Sequence, residues 1–345
     1  MLDVKLIGLG SFLPGESITN EKMEEIFGLR QDWIDTMIGT KTRYFACDLD
    51  EKVFKFELVD VCTRAAEKAL ENSGLSAEQI DFVVMSTATP DHLMPATVNL
   101  VVDRLGMNNV PTFEIQAGCS GALQGLEVAY RFLQSGAFKN GLVIGGDVMN
   151  KYLDFSRDFK KIRSSELINL ALFGDGAGAV VMSNDAEKSG IKIEQIVTRF
   201  EGLGREPGQV MNWFGTIVDS SMKDSKGKRI QSAKEDYKAI EAHVPAMAGE
   251  MMDELLTKTG WSKEDVSYYM PPQLGGIMTD KICTYLELAE GKALNCVAET
   301  GNNGNALPYI QLSMLAERMQ SGETAVGVAI ESSKWLKTGI ALRKE

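Results

Sequence analysis

Histidine is nearly absent from this chain: His92 and His243 are the only two in 345 residues. That shortage excludes a His-rich metal centre and leaves any reaction that needs an imidazole only two candidates. Cysteine is also sparse. Cys47, Cys62, Cys119, Cys283 and Cys296 are odd in number, widely spaced and free of CxxC pairs, which argues against a disulfide framework and a zinc site. A cysteine that matters here should matter as a thiol. Basic residues are the minority, 36 Lys+Arg against 48 Asp+Glu for a net charge of −12, which argues against a nucleic-acid backbone as main partner. No stretch approaches the roughly 18 uninterrupted apolar residues of a membrane span. The start, Met1 to Gly8, reads as a first β-strand without the charged and apolar regions of a signal peptide, so the expected location is cytoplasmic.

Apolar residues, by contrast, make up 44% of the chain, too many for disorder, and the length is too great for one compact core. Strand-like runs (Phe82 to Met85, Gly141 to Ile144, Ala179 to Met182) alternate with helical patterns such as Phe56 to Asn72, which Gly74 stops. That alternation is the signature of an α/β protein. The pattern also repeats. Ser73-Gly74-Leu75-Ser76 is echoed by Thr259-Gly260-Trp261-Ser262, and Gln134-Ser135-Gly136 by Gln320-Ser321-Gly322, each 186 residues further on. Two copies do not make a solenoid. They predict two homologous α/β halves, residues 1–185 and 186–345, packed about a pseudo-dyad without a linker.

Between these markers, Ala117-Gly118-Cys119-Ser120-Gly121 lies opposite Thr300-Gly301-Asn302-Asn303-Gly304. Each is expected between a strand (Thr112 to Ile115, Leu294 to Val297) and a helix (Ala122 to Leu133, Ala306 to Met319), and the dyad would bring the two turns together. Binding sites favour such junctions. A thiol at a helix N-terminus feels the positive end of the helix dipole, which favours thiolate, and the Cys119 amide can point at a developing oxyanion. A small buried cysteine packing a helix start is the competing reading of the same residue.

The runs Gln116-Ala117-Gly118-Cys119-Ser120-Gly121-Ala122, Phe173-Gly174-Asp175-Gly176-Ala177-Gly178-Ala179-Val180 and Gly301-Asn302-Asn303-Gly304-Asn305-Ala306 resemble the β-ketoacyl-carrier-protein synthase III group of the thiolase superfamily. The opening Ile7-Gly8-Leu9-Gly10-Ser11-Phe12-Leu13-Pro14 fits the same group, and the likeness runs to the last strand. The resemblance implies an αβαβα sandwich, a homodimer, and no permanently bound cofactor. It also implies that an acyl group moves from a coenzyme A or phosphopantetheinyl carrier-protein thioester onto Cys119 and then to a second substrate. Asn302 matches the asparagine that, with a histidine, stabilises the enolate formed from a malonyl thioester, and Asn303 beside it is a substrate-binding candidate. The glycine-rich run at 174–178, taken by itself, reads as a tight strand connection.

The histidine of the group does not match. Its place falls in Met270-Pro271-Pro272-Gln273, where Pro272 offers neither a titratable group nor a backbone N–H. Loss of such a donor typically costs on the order of 10²–10³ in rate. Near the C-terminus, Glu331-Ser332-Ser333-Lys334-Trp335 replaces the group's glycine-rich loop, leaving the Ser333 amide as candidate for the second oxyanion donor. His243, on a helix from about Lys238 to Leu256, is a candidate relocated base. His92 and Met94 fall in a loop that the resemblance puts near the acyl pocket. Trp33 matches the aromatic that stacks on the adenine of coenzyme A, although Met37 stands where an arginine often accompanies it. Lys160, Lys161 and Arg163 could meet a carrier protein or a phosphopantetheine phosphate, with a solvated face as the alternative.

The expected function is thus acyl transfer through Cys119 in a fatty-acid-like or polyketide-like pathway, to an acceptor other than malonyl carrier protein. A carbon–carbon bond-forming synthase working without the histidine, and a silent partner of an active homologue, are the alternatives.

Overall fold

The computed structural model describes residues 2–159, 164–211 and 233–345. One mixed sheet carries the architecture, with strands β1 (Lys5–Phe12), β2 (Phe82–Ser86), β3 (Thr112–Ile115), β4 (Asn140–Val148), β5 (Asp175–Ser183), β6 (Ile191–Phe200), β7 (Tyr268–Met270), β8 (Thr324–Glu331) and β9 (Leu336–Lys344). The helices that position the site are α1 (Gln31–Met37), α2 (Leu58–Ser73), α3 (Gly121–Gln134), α4 (Tyr237–Thr259) and α5 (Leu307–Arg318).

The strand order, β7-β8-β9-β6-β1-β5-β4-β2-β3, is one arrangement used twice and joined back to back. β1 and β6 pair antiparallel at the centre through Lys5↔Lys192 and Leu6↔Ile191. Moving outward on one side, β1/β5 and β5/β4 are antiparallel and β4/β2 is parallel. On the other side, β6/β9 and β9/β8 are antiparallel and β8/β7 is parallel. The counterpart of β3 is reduced to a single bridge, Tyr269↔Ala293.

Three apolar cores stack across this sheet and set the layers. Leu123 and Leu126 of α3 pack with Tyr309 and Leu312 of α5 in one central core, between the two halves of the sheet. Val61, Ala65 and Ala69 of α2 cover the outer face of the first half, and Val244, Met251 and Leu255 of α4 cover that of the second. The result is the αβαβα sandwich. Strands β4, β5 and β8 are buried along their whole length, which is why they read as continuous apolar runs rather than alternating ones.

Two local expectations fail for identifiable reasons. The glycine-rich run at 174–178 is not a tight connection but the start of β5, where a Cβ on Gly178 would come within 2.4 Å of the Tyr309 side chain. Glycine there lets α5 lie directly on the strand. Residues 294–297 form no strand either, because Gln273 Oε1 accepts from the Cys296 and Val297 amides at 3.0 and 2.8 Å and starts the short helix Val297–Thr300.

Candidate active site

The chain leaves β3, makes a 3₁₀ turn at Gly118–Ser120 and enters α3, so Cys119 stands at that helix's N-terminus. In the second half, Gly301 at φ +71° ends the short helix, and a 3₁₀ turn at Gly304–Ala306 leads into α5. The two turns meet across the pseudo-dyad. Tyr309 Oη donates to the Ala122 carbonyl at 2.9 Å, tying α5 to α3.

Asp147, fully buried at the end of β4, fastens the turns from beneath. It accepts from Thr87 Oγ1, the Ala88 amide and Thr89 Oγ1 of the first half at 3.1, 2.7 and 3.0 Å. From the second half it accepts from the Asn305 amide and Asn305 Nδ2 at 2.9 and 2.8 Å. Burial raises its pKa, and the bonds from Asn305, Ala88 and Thr89 oppose that rise. Asn302 is held just as firmly, with Nδ2 donating to the Leu274 carbonyl at 3.1 Å and Oδ1 accepting from the Gly304 amide at 3.0 Å.

Above these turns opens a mostly apolar cavity of about 380 Å³ that Cys119, Asn302, Pro272 and Trp33 all line. Four residues up to 269 positions apart in sequence therefore share one space. Pro272 is fixed from behind: Gln311, buried on α5, donates to the Pro271 carbonyl at 3.1 Å and to the Leu294 carbonyl at 2.9 Å. Leu172, Ile240, Val244 and Ile277 supply apolar wall, the setting an acyl chain needs. Trp33 and Met37, both on α1, contribute to the same lining.

The electrostatics of Cys119 depart from the expectation. Burial pushes its thiol well above the ordinary cysteine range, and the nearby carboxylates of Glu331, Asp147 and Glu235 push in the same direction. Both effects oppose the helix-terminal dipole, which favours thiolate. Glu331, the last residue of β8, is the closest of the three. Its Oε2 accepts from the Cys119 amide and its Oε1 from the Ser333 amide at 2.6 Å. The two amides expected to form an oxyanion site do converge, but on this chain's own carboxylate. Gly118, at φ +51°, makes the approach possible, since a Cβ there would lie 1.8 Å from Glu331 Oε2.

A raised thiol pKa has a measurable consequence. Iodoacetamide should alkylate Cys119 at pH 7 more slowly than an unperturbed cysteine of pKa about 8.5, and the rate should still be climbing at pH 9. Mass analysis of the Cys119 peptide reads this directly; a rate that levels off below pH 8 would show a preformed thiolate.

Other expected site residues lie elsewhere. His243 is exposed on α4, its ring edge against Trp335 at 5.2 Å between centroids, and does not line the cavity. His92 and Met94 sit on an exposed loop, Met94 at 83% exposure, and within one chain neither faces Cys119. Asn303 is fully buried and donates to the Asp175 and Thr300 carbonyls at 2.9 and 3.2 Å, so it supports the turn rather than the cavity. Lys160, Lys161 and Arg163 lie outside the described residues. Three acidic groups near Cys119 were not among the expected site residues: Asp147, Glu331 and Glu235, the last lining the cavity. The available signal for Glu331 was a charged residue closing the apolar run Ala325 to Ile330.

A helix-terminal thiol and a fixed asparagine stand on equivalent turns of a duplicated αβαβα sandwich and line one cavity, the arrangement expected of a thiolase-type acyl-transferring site. Residues 113–202 match the family model of 3-oxoacyl-[acyl-carrier-protein] synthase III, and residues 256–332 match that of its C-terminal part. The β-ketoacyl-[acyl-carrier-protein] synthase III of Clostridium perfringens is 29% identical, each chain covered in full. That of Rickettsia canadensis is 29% identical over 90% of each chain. Among solved structures, the tetronic acid condensing enzyme AbyA1 is similar at 42% identity and a TM-score of 0.92, over 99% of both chains. The Aquifex aeolicus synthase III is similar at 27% identity and a TM-score of 0.80, again over 99% of both. The chain belongs to the ketosynthase III group of the thiolase superfamily and is an acyl-transferring or condensing enzyme.

Proposed function

We propose that the protein takes an acyl group from a coenzyme A or carrier-protein thioester onto Cys119 and passes it to an acceptor that needs no imidazole-assisted decarboxylation. The observation that carries this reading is Pro272 in the cavity beside Cys119 and Asn302. Decarboxylating a malonyl thioester leaves an enolate whose charge must be stabilised by donors, and Pro272 supplies none. An acceptor such as a β-ketoacyl thioester, whose central carbon is already acidic, removes that requirement. Carbon–carbon bond formation of this kind also fits the likeness to a tetronic acid condensing enzyme. Asn302 has one N–H left after its bond to Leu274, available to the carbonyl of the acceptor.

A specialised, polyketide-like pathway is the setting this chemistry suits. A homodimer fits the exposure of Leu93 and Met94, 65% and 83%, side by side on one loop. Intact-mass analysis after exposure to a panel of acyl-coenzyme A and acyl-carrier donors tests the first step. An adduct on Cys119 is expected, and its mass names the donor. No adduct from any donor would favour a silent partner subunit, a role in which retention of Cys119 has no purpose.

A further inference from the structure

We propose that Glu331 is the proton carrier of the acyl-transfer step, in place of the absent imidazole, and that its carboxylate keeps the oxyanion site closed until it receives the proton of Cys119. The proposal rests on the acyl-transfer reading above and adds the residue that moves the proton.

Two hydrogen bonds place Glu331 there. Its side chain, 2% exposed, accepts from the Cys119 amide through one oxygen and from the Ser333 amide through the other. The same carboxylate stands beside the Cys119 side chain, where its charge helps to raise the pKa of the thiol. One group therefore stands beside the thiol that must lose its proton and holds the two N–H groups that an acyl oxygen would need. Of the other carboxylates near Cys119, Asp147 is engaged with Thr87, Ala88, Thr89 and Asn305, and Glu235 accepts from Gln209 through one oxygen; neither takes the Cys119 or the Ser333 amide.

The two roles of Glu331 are coupled. As a carboxylate it holds both amides by charge-assisted bonds, roughly twice as strong as neutral ones, and a thioester carbonyl cannot displace it. In the transfer, the Cys119 S–H bond breaks and its proton goes to Glu331, while sulfur forms a bond to the thioester carbonyl carbon. The neutral carboxyl then releases the amides, which receive the negative charge developing on the carbonyl oxygen. As the carbonyl re-forms, the bond from carbon to the leaving thiol sulfur breaks, and that thiolate takes the proton from Glu331. The carboxylate is restored, and Cys119 carries the acyl group.

Glu331→Gln separates proton transfer from support of the turn, because the two predict opposite changes in two reactions of one thiol. Loading of Cys119 by the donor that acylates wild type should slow by on the order of 10²–10⁴. Alkylation by iodoacetamide at pH 7 should instead quicken, since a negative charge beside the sulfur is gone. Loading at the wild-type rate, or both reactions slowing together in a folded variant, would overturn the proposal. Should this variant fail to fold, Glu331→Asp decides. Its shortened carboxylate keeps the charge but cannot span both amides, so loading should slow at least about tenfold with alkylation within about twofold of wild type. Equal effects on both reactions, or none on either, would overturn it. A wild type that no donor acylates overturns the acyl-transfer reading and this role with it. A wild type that loads, with Glu331→Gln loading equally fast, overturns the role of Glu331 alone.

Discussion

Cys119→Ala is expected to abolish covalent loading and to lower acyl transfer by at least about 10³-fold, because the step needs a sulfur and no other described cysteine lines the cavity with Asn302. Cys47, Cys62 and Cys296 are buried, so none offers a substitute. Removing one sulfur from the rim of a cavity should leave the thermal midpoint within a few degrees of wild type. Loss of activity would then report chemistry rather than unfolding. The measurement is loading by intact mass on wild type and variant side by side; a variant that still gained the acyl mass would place the nucleophile elsewhere.

The second large effect is on stability. Asp147→Ala should lower the unfolding free energy by about 3–5 kcal/mol, since it orphans buried donors from both halves of the fold. The loss should exceed that of an ordinary cavity of the same size, because N–H and O–H groups would remain where water cannot replace the carboxylate. Urea denaturation of the two proteins reads it, and a difference below about 1 kcal/mol would mean that the turns hold without the carboxylate. Because Asp147 links Thr87, Ala88 and Thr89 to Asn305, a folded remnant of the variant should also load poorly, with Asn302 no longer fixed opposite Cys119.

How much of this was legible in the sequence depends on the range of the interaction. The strand runs and the long repeat are local or periodic, and they carried the α/β alternation, the duplicated sheet and the meeting of the Cys119 and Asn302 turns. The resemblance pointed to Asn302, but that Asn303 beside it turns away from the cavity was not legible. Asn302 and Asn303 are neighbours, and only the turn after Gly301 decides that one lines the cavity and the other donates down to Asp175. His243 stands one residue before inward-facing Val244, and a helix step of about 100° turns it to solvent. A cysteine at a helix start suggested thiolate, but burial raises the thiol's pKa, and carboxylates from β4, β8 and Glu235 push it the same way. Most hidden was Glu331, whose carboxylate bonds to an amide 212 residues away. Residue type at the end of an apolar run hinted at something polar there; the partner was a matter of tertiary structure.

Pro272 turns the account into a claim about the acceptor, and one measurement addresses it most directly. Wild-type protein, loaded on Cys119 and freed of excess donor, is offered malonyl carrier protein in one reaction and a β-ketoacyl thioester in another, and the bound acyl mass is followed with time. The account predicts that the acyl group leaves Cys119 for the β-ketoacyl thioester and stays in place with malonyl carrier protein. Rapid discharge by the malonyl thioester with release of carbon dioxide, at the rate of an ordinary synthase III, would contradict it.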